Sequence, residues 1–146
     1  MKTVALRFAE NFAPECGTIA AHKQVLDSLG SVWYGKLGSS MSKAVCDSIL
    51  GGYDPRILLI HGGGTDRWWL HIDAISRELP PYGSYPEYYG ELADRMGCWL
   101  HVRRFEKADS KVMSKCVVAS SGKPLSLASR RSMSPYFIID YQEESS

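Results

Sequence analysis

The chain has 146 residues, of which 45% are hydrophobic, and a formal net charge of +1. That is enough for one globular domain with a substantial core and argues against a second one. Apolar runs such as "ILLI" at 57–60 and "YFII" at 136–139 are too short to span a bilayer.

The N-terminus "MKTVALRFAENF" lacks the long apolar region and small-residue cleavage site of a signal peptide, so the chain is expected to be soluble and cytoplasmic. Four cysteines, Cys16, Cys46, Cys98 and Cys116, are widely spaced. None forms the close pair that a zinc or thioredoxin-like site requires, so reduced, mostly buried thiols are expected, with no metal and no cofactor.

In chain order, "TVALRF" alternates around Val4, Leu6 and Phe8 and reads as a first strand. Thr18 is placed to cap a helix in which Ile19, His22, Val25, Leu26 and Leu29 recur at spacings of three and four. Gly30 then stands where a left-handed terminator belongs. "SVWYGKLG" follows as a strand with Val32 and Tyr34 on one face and Trp33 and Gly35 on the other. The absent side chain of Gly35 leaves room there for a flat ligand, with Lys36 at its rim.

A second helix is expected from about 40 to 50, since Met41, Val45 and Ile49 share a face. Two apolar runs around "GGG" predict a hairpin of Arg56 to His61 and Arg67 to Ile75. The proline- and tyrosine-rich "PPYGSYPEYYG" leads into a helix whose inner face is Tyr89, Leu92, Ala93 and Met96 and which ends at Gly97. "CWLHVRRF" alternates as a strand with Trp99, His101, Arg103 and Phe105 on one side. A short strand near "CVVAS", a short helix around "LSLASRR" and a last strand at "YFIIDY" complete one domain over 1–141, with 142–146 a disordered tail. About six or seven strands with three or four helices, mostly in hairpin order, define an α+β class with a small curled mixed sheet or barrel.

Charge is unevenly spread. Residues 98–133 hold eight basic side chains against Glu106 and Asp109, so this third carries +6 and the remainder −5. A polyanion is a partner suited to that face. The run "HGGGTDR" is not a phosphate loop, because it lacks the lysine followed by serine or threonine and a strand, not a helix, comes after it. Nor is it a lipase oxyanion loop, since the chain has no G-x-S-x-G elbow. His61 and His71 could meet across the expected hairpin, where with Asp66 or Asp73 they could bind a metal or transfer protons, though no compact ligand motif accompanies them. His22 falls on the apolar helix face and reads as core.

Trp33, Trp68, Trp69 and Trp99 all fall on expected strands, and adjacent Trp68 and Trp69 must send their rings to opposite faces. Aromatic faces beside basic side chains stack nucleobases.

The first strand, the helix, "VWYGK" with a helical insertion, the hairpin carrying "WWLHIDAI", the "P-x-Y-Y" turn and the strand opening on a tryptophan together resemble the PUA-like superfamily, most of all its EVE and related YTH-like modules. Such domains are small mixed barrels that bind RNA or DNA, and EVE and YTH-like members take a modified base into an aromatic pocket. The resemblance implies Trp33, Tyr34 and Lys36 near a pocket, Trp68 or Trp69 together with Trp99 as walls, His61 and His71 at the base edge, and Arg103, Arg104, Lys115, Arg130 and Arg131 on the phosphate backbone. An EVE-type leading tryptophan has no counterpart, since "VALRF" occupies its place.

The leading expectation is therefore a non-catalytic nucleic-acid-binding module, selective for a modified base. One alternative is a protein-interaction factor, an inhibitor or adaptor, using the tyrosine-rich loop 82–90. A histidine-dependent ribonuclease is the enzymatic alternative.

Overall fold

The computed structural model describes residues 1–8, 13–61 (only the backbone of His61), 66–132, 134 and 136–143. The expected glycine turn at 62–65 lies outside them. The elements are β1 (Lys2–Phe8), α1 (Thr18–Leu29), β2 (Val32–Leu37), α2 (Lys43–Leu50), β3 (Arg56–His61), β4 (Arg67–Ser76), a 3-10 segment (Glu87–Arg95), β5 (Met96–Lys107), a 3-10 turn (Val112–Lys115), β6 (Cys116–Val118), α3 (Leu125–Arg131) and β7 (Tyr136–Tyr141). The strands form one seven-stranded sheet in the order β2-β5-β4-β3-β1-β7-β6. Only β1 and β3 run parallel; the other neighbours are antiparallel. This is the expected α+β architecture with a curled mixed sheet that does not close.

Alternation along the strands produces two cores. Val4, Leu6, Phe8, Tyr34, Leu59, Leu70 and Leu100 face α1 and α2, whose Ile19, Val25, Leu26 and Ile49 pack onto them. Ala5, Leu58, Trp69, Phe137 and Ile139 face the opposite way, against Val112, Met113 and Leu125. Trp68 and Trp69 go to opposite faces, as the period of two requires.

Curvature comes from three bulges. The β4–β5 register slips at Asp73 and again at Arg103, and the β2–β5 register slips between Lys36 and Leu37, opposite Gly97. Each extra residue bends its strand and increases the local twist. The curl carries the edge strand β2 back over the sheet, so that the Lys36 ammonium lies 5.0 Å from the ring centre of Tyr136 on β7.

The same bulges correct the sequence reading of β5. Phe105 packs in the first core with Leu100 and Val102 and so leaves the face of Trp99 and His101, because the extra residue at Arg103 inverts the alternation. Gly97 does not end a helix. A Cβ there would lie 2.0 Å from the Gly38 carbonyl oxygen, so glycine is needed where the 38–40 segment crosses the bulge.

Helix limits differ too. Thr18 is the first residue inside α1, buried, and the cap position is Gly17. Gly30 ends the helix in the left-handed conformation, its N–H donating to Leu26 O at 2.7 Å. The tyrosine segment forms 3-10 turns instead of an α-helix because Gly90, at φ 49 and ψ −125, breaks it. Ser42 caps α2 by accepting from the Val45 N–H. At the C-terminus, Gln142 N–H donates to Lys115 O and Glu143 pairs with Arg56 at 3.1 Å.

Candidate functional site

The free edge of β2 is finished by the tyrosine segment. Trp33 N–H donates to Ser84 O at 2.9 Å and Gly35 N–H donates to the Tyr89 hydroxyl oxygen at 3.1 Å. A phenol thus takes the place of the next strand's carbonyl and covers an edge that would otherwise offer unpaired N–H groups. Tyr89 passes its own proton onward, donating to His22 Nε2 at 2.7 Å, while His22 Nδ1–H donates to Thr18 O at 2.8 Å. These roles follow from the donors and acceptors present, since a Thr18 carbonyl can only accept. Burial lowers the His22 pKa to about 4 and raises that of Tyr89 well above the ordinary phenol value. This series of hydrogen bonds is neutral, with both His22 ring nitrogens bonded.

Above this floor lies a cavity of about 200 Å³. Leu6 and Phe8 supply the β1 wall, Tyr34 and Lys36 the β2 wall, and Tyr88 and Tyr89 the wall from the 3-10 segment. Thr18, Leu92 and Met96 complete much of the rest. The curl creates the cavity, by bringing the far ends of β1 and β2 to face each other across α1.

Lys36 is 3% exposed. Its ammonium donates to Ser39 O at 2.6 Å and Leu37 O at 3.4 Å, and burial holds its pKa below the usual lysine value. Gly35 provides no slot for a ligand, because its missing Cβ is filled by the Met96 thioether, with Cγ and Sδ both 2.7 Å from where a Cβ would sit.

Of the tryptophans, histidines, Tyr34 and Lys36 expected to hold a ligand, Tyr34 and Lys36 are the ones that line this cavity among the described side chains. Trp33 lies on the other face of the sheet, its ring 4.6 Å from that of His101. Trp99 is 1% exposed and packs beneath Tyr85 and Tyr89. Trp68 carries the Lys23 ammonium 4.5 Å from its ring centre on the helix side. Trp69, on the opposite side, packs edge-on against Tyr141, with the Arg56 guanidinium over both rings.

His71 is buried with Nδ1 3.0 Å from Asp54 Oδ1 and Nε2 2.8 Å from Glu106 Oε1. His61 does not meet it: His71 pairs with Arg56, and His61 stands at the far end of β3, about 17 Å along the strand. The His61 side chain is outside the described residues. Asp54 is held below the ordinary carboxyl range by its bonds to His71 and Arg56, against the opposing effect of burial, which is the largest single influence on it.

The basic residues spread over several elements. Arg103 is 3.8 Å from Asp73, and Arg104 Nη2 lies 3.2 Å from His71 Nε2, which also contacts Glu106. Lys115 ends the 3-10 turn before β6, and Arg130 and Arg131 are exposed on the last turn of α3.

The sequence reading passed over Leu6, Phe8, Thr18 and Tyr88 as lining residues. The one available signal was the tyrosine pair next to a glycine, which marks a segment that covers something rather than a regular helix.

The site is chemically simple. None of its described lining residues is acidic, and Lys36 brings a positive charge, so a cationic ligand is disfavoured and a flat neutral or anionic one fits. Its histidine is locked below the floor, bonded through both ring nitrogens. Among the described residues no cluster of three or more His, Cys, Asp or Glu could hold a metal, all four cysteines are free, and no helix is long and apolar enough to cross a membrane.

The fold and cavity together define a small α+β domain with a curled sheet and a cavity lined in part by tyrosines. Compared with known protein families, curated proteins and solved structures, the chain matches none of them.

Proposed function

We propose that this protein is a non-catalytic, PUA-like nucleic-acid-binding module that takes one base into the tyrosine-lined cavity. The observation that carries the reading is the cavity itself: aromatic and aliphatic walls, one buried ammonium, no carboxylate among the described lining residues, and a neutral hydrogen-bonded floor. A nucleobase offers the matching chemistry, a flat ring for the tyrosines and carbonyl oxygens for a lysine donor. Leu6, Leu92 and Met96 supply apolar surface for a substituent such as a methyl group, which supports selectivity for a modified base.

The tyrosine loop contributes less to a protein interface than its composition suggests. Tyr89 is buried, Tyr85 lies against Trp99 and Tyr88 is half-buried against Tyr89, so Tyr82, at 83% exposure, is the most outward ring.

The test is a series of fluorescent pentanucleotides with one central base and abasic flanks, in DNA and RNA forms, including methylated and hydroxymethylated bases. Stacking of one base is worth ~1–3 kcal/mol, so the best base should bind roughly 5- to 150-fold more tightly than a fully abasic strand. Equal binding of every strand would remove the base-in-cavity reading.

A further inference from the structure

A lysine ammonium has three N–H donors, and in Lys36 the acceptors for them are uneven. Ser39 O accepts at 2.6 Å, but the contact to Leu37 O, at 3.4 Å, is longer than an ordinary N–H···O bond, and the remaining partner is the ring of Tyr136. All three offer partial charge only. Among the described residues the carboxylates that form ion pairs do so elsewhere: Asp47 with Lys43, Asp54 and Glu143 with Arg56, Glu106 with His71, and Asp73 with His101 and Arg103. Lys36, 3% exposed, thus sits in the protein without a counter-ion. A buried charge of this kind is strongly unfavourable by itself, and an anion brought against it relieves the same desolvation that holds the Lys36 pKa down.

The walls define the rest of the ligand. Leu6, Phe8, Tyr34, Leu92 and Met96 are aliphatic or aromatic, and a cavity of about 200 Å³ exceeds the ~150 Å³ of an engineered apolar cavity that takes up benzene, so one ring with a single small substituent fits. A carboxylate suits one ammonium because it carries a single charge, where a phosphate group brings nearly two.

We propose that the cavity binds a small aromatic monocarboxylate, with its ring among the tyrosine and aliphatic side chains and its carboxylate on the Lys36 ammonium. The acid enters from solution, so its binding is independent of the base-binding reading. Only its competition with a strand rests on that reading, since acid and base would fill the same space.

The experiment titrates benzoate and benzamide, which match in size but differ in charge, into the full chain and into Lys36→Met by calorimetry, with folding checked by circular dichroism. Charge-assisted hydrogen bonds exceed neutral ones, so benzoate should bind at least about tenfold more tightly than benzamide. In K36M that ratio should fall to about one while benzamide binding is kept. Equal binding of the two by the wild type, or no binding of benzoate, overturns the inference whether or not K36M folds, and a preference that survives in K36M overturns the role of Lys36. Either failure leaves base-selective binding of the pentanucleotides standing. Benzoate that binds through Lys36 yet does not release the pentanucleotide supports the acid site and overturns the base-in-cavity reading instead.

Discussion

His22 should make the stability of this protein fall between neutral and mildly acidic pH. The imidazole is fully buried, its Nδ1–H bonded to Thr18 O and its Nε2 accepting from Tyr89, so protonation would break the latter bond and bury a charge. In the unfolded chain the ring titrates near 6.5, whereas in the native protein its pKa is about 4. The native state thus binds fewer protons than the unfolded state in this window. Stability is at its full value above the unfolded pKa and is lost as pH falls from there toward the folded one.

At 1.36 kcal/mol per unit, the loss from this group is about 2 kcal/mol by pH 5 and about 3 kcal/mol by pH 4. Asp54 does not confuse the measurement, because its depressed pKa withdraws stability only at lower pH, below the ordinary carboxyl value.

The assay is urea unfolding followed by tryptophan fluorescence at pH 7.5, 6 and 5, for the wild type and His22→Gln. Glutamine can still donate to Thr18 and accept from Tyr89, but it does not titrate. The variant should be less stable at pH 7.5 by about 1–3 kcal/mol and show a pH dependence flatter by about 2 kcal/mol down to pH 5. A variant that loses as much stability on acidification as the wild type would refute the neutral-imidazole network.

Gly97→Ala should destabilise by about 1–3 kcal/mol or more, because the added methyl meets the backbone of the 38–40 crossing; a midpoint within error of wild type in the same urea assay would contradict the crossing geometry. Gly35→Ala meets only the flexible Met96 side chain, so it should cost less, yet weaken pentanucleotide binding by pushing Met96 toward the cavity. Trp99→Ala should cost about 3–5 kcal/mol in stability, since this ring is core beneath Tyr85 and Tyr89; a stable protein with altered binding would instead make it a ligand wall.

Local pattern carried the elements well where one physical preference acted alone. The apolar spacing in α1, Gly30 as its terminator, the antiparallel pairing of Arg56–His61 with Arg67–Ser76 and the opposed rings of Trp68 and Trp69 all follow from period, turn chemistry and pleat. The readings that changed are those in which a distant segment intervenes. Gly97 looks like a helix stop until the 38–40 chain is seen crossing it, and Phe105 changes face because one extra residue sits at Arg103. Tyr89 looks like the inner face of a helix, yet its hydroxyl serves as the hydrogen-bond partner of an edge strand.

For the cavity the division is sharper. "SVWYGKLG" shows an alternating strand, and alternation alone separates Tyr34 from Trp33. Which of those faces turns toward a cavity depends on how three bulges curl the sheet and bring β2 opposite β1, a long-range outcome with no local signature. The same holds for charge: the chain order groups eight basic residues between 98 and 133, but side-chain partners decide which remain available. Arg103 and Arg104 meet Asp73 and the His71–Glu106 pair only after β4 and β5 are in register, whereas the end of α3 that carries Arg130 and Arg131 is tied to β1 by Arg7, more than a hundred residues away in sequence. Short-range sterics and hydrophobic period act along the chain; cavities and the net field at a surface are properties of segments that only folding brings together.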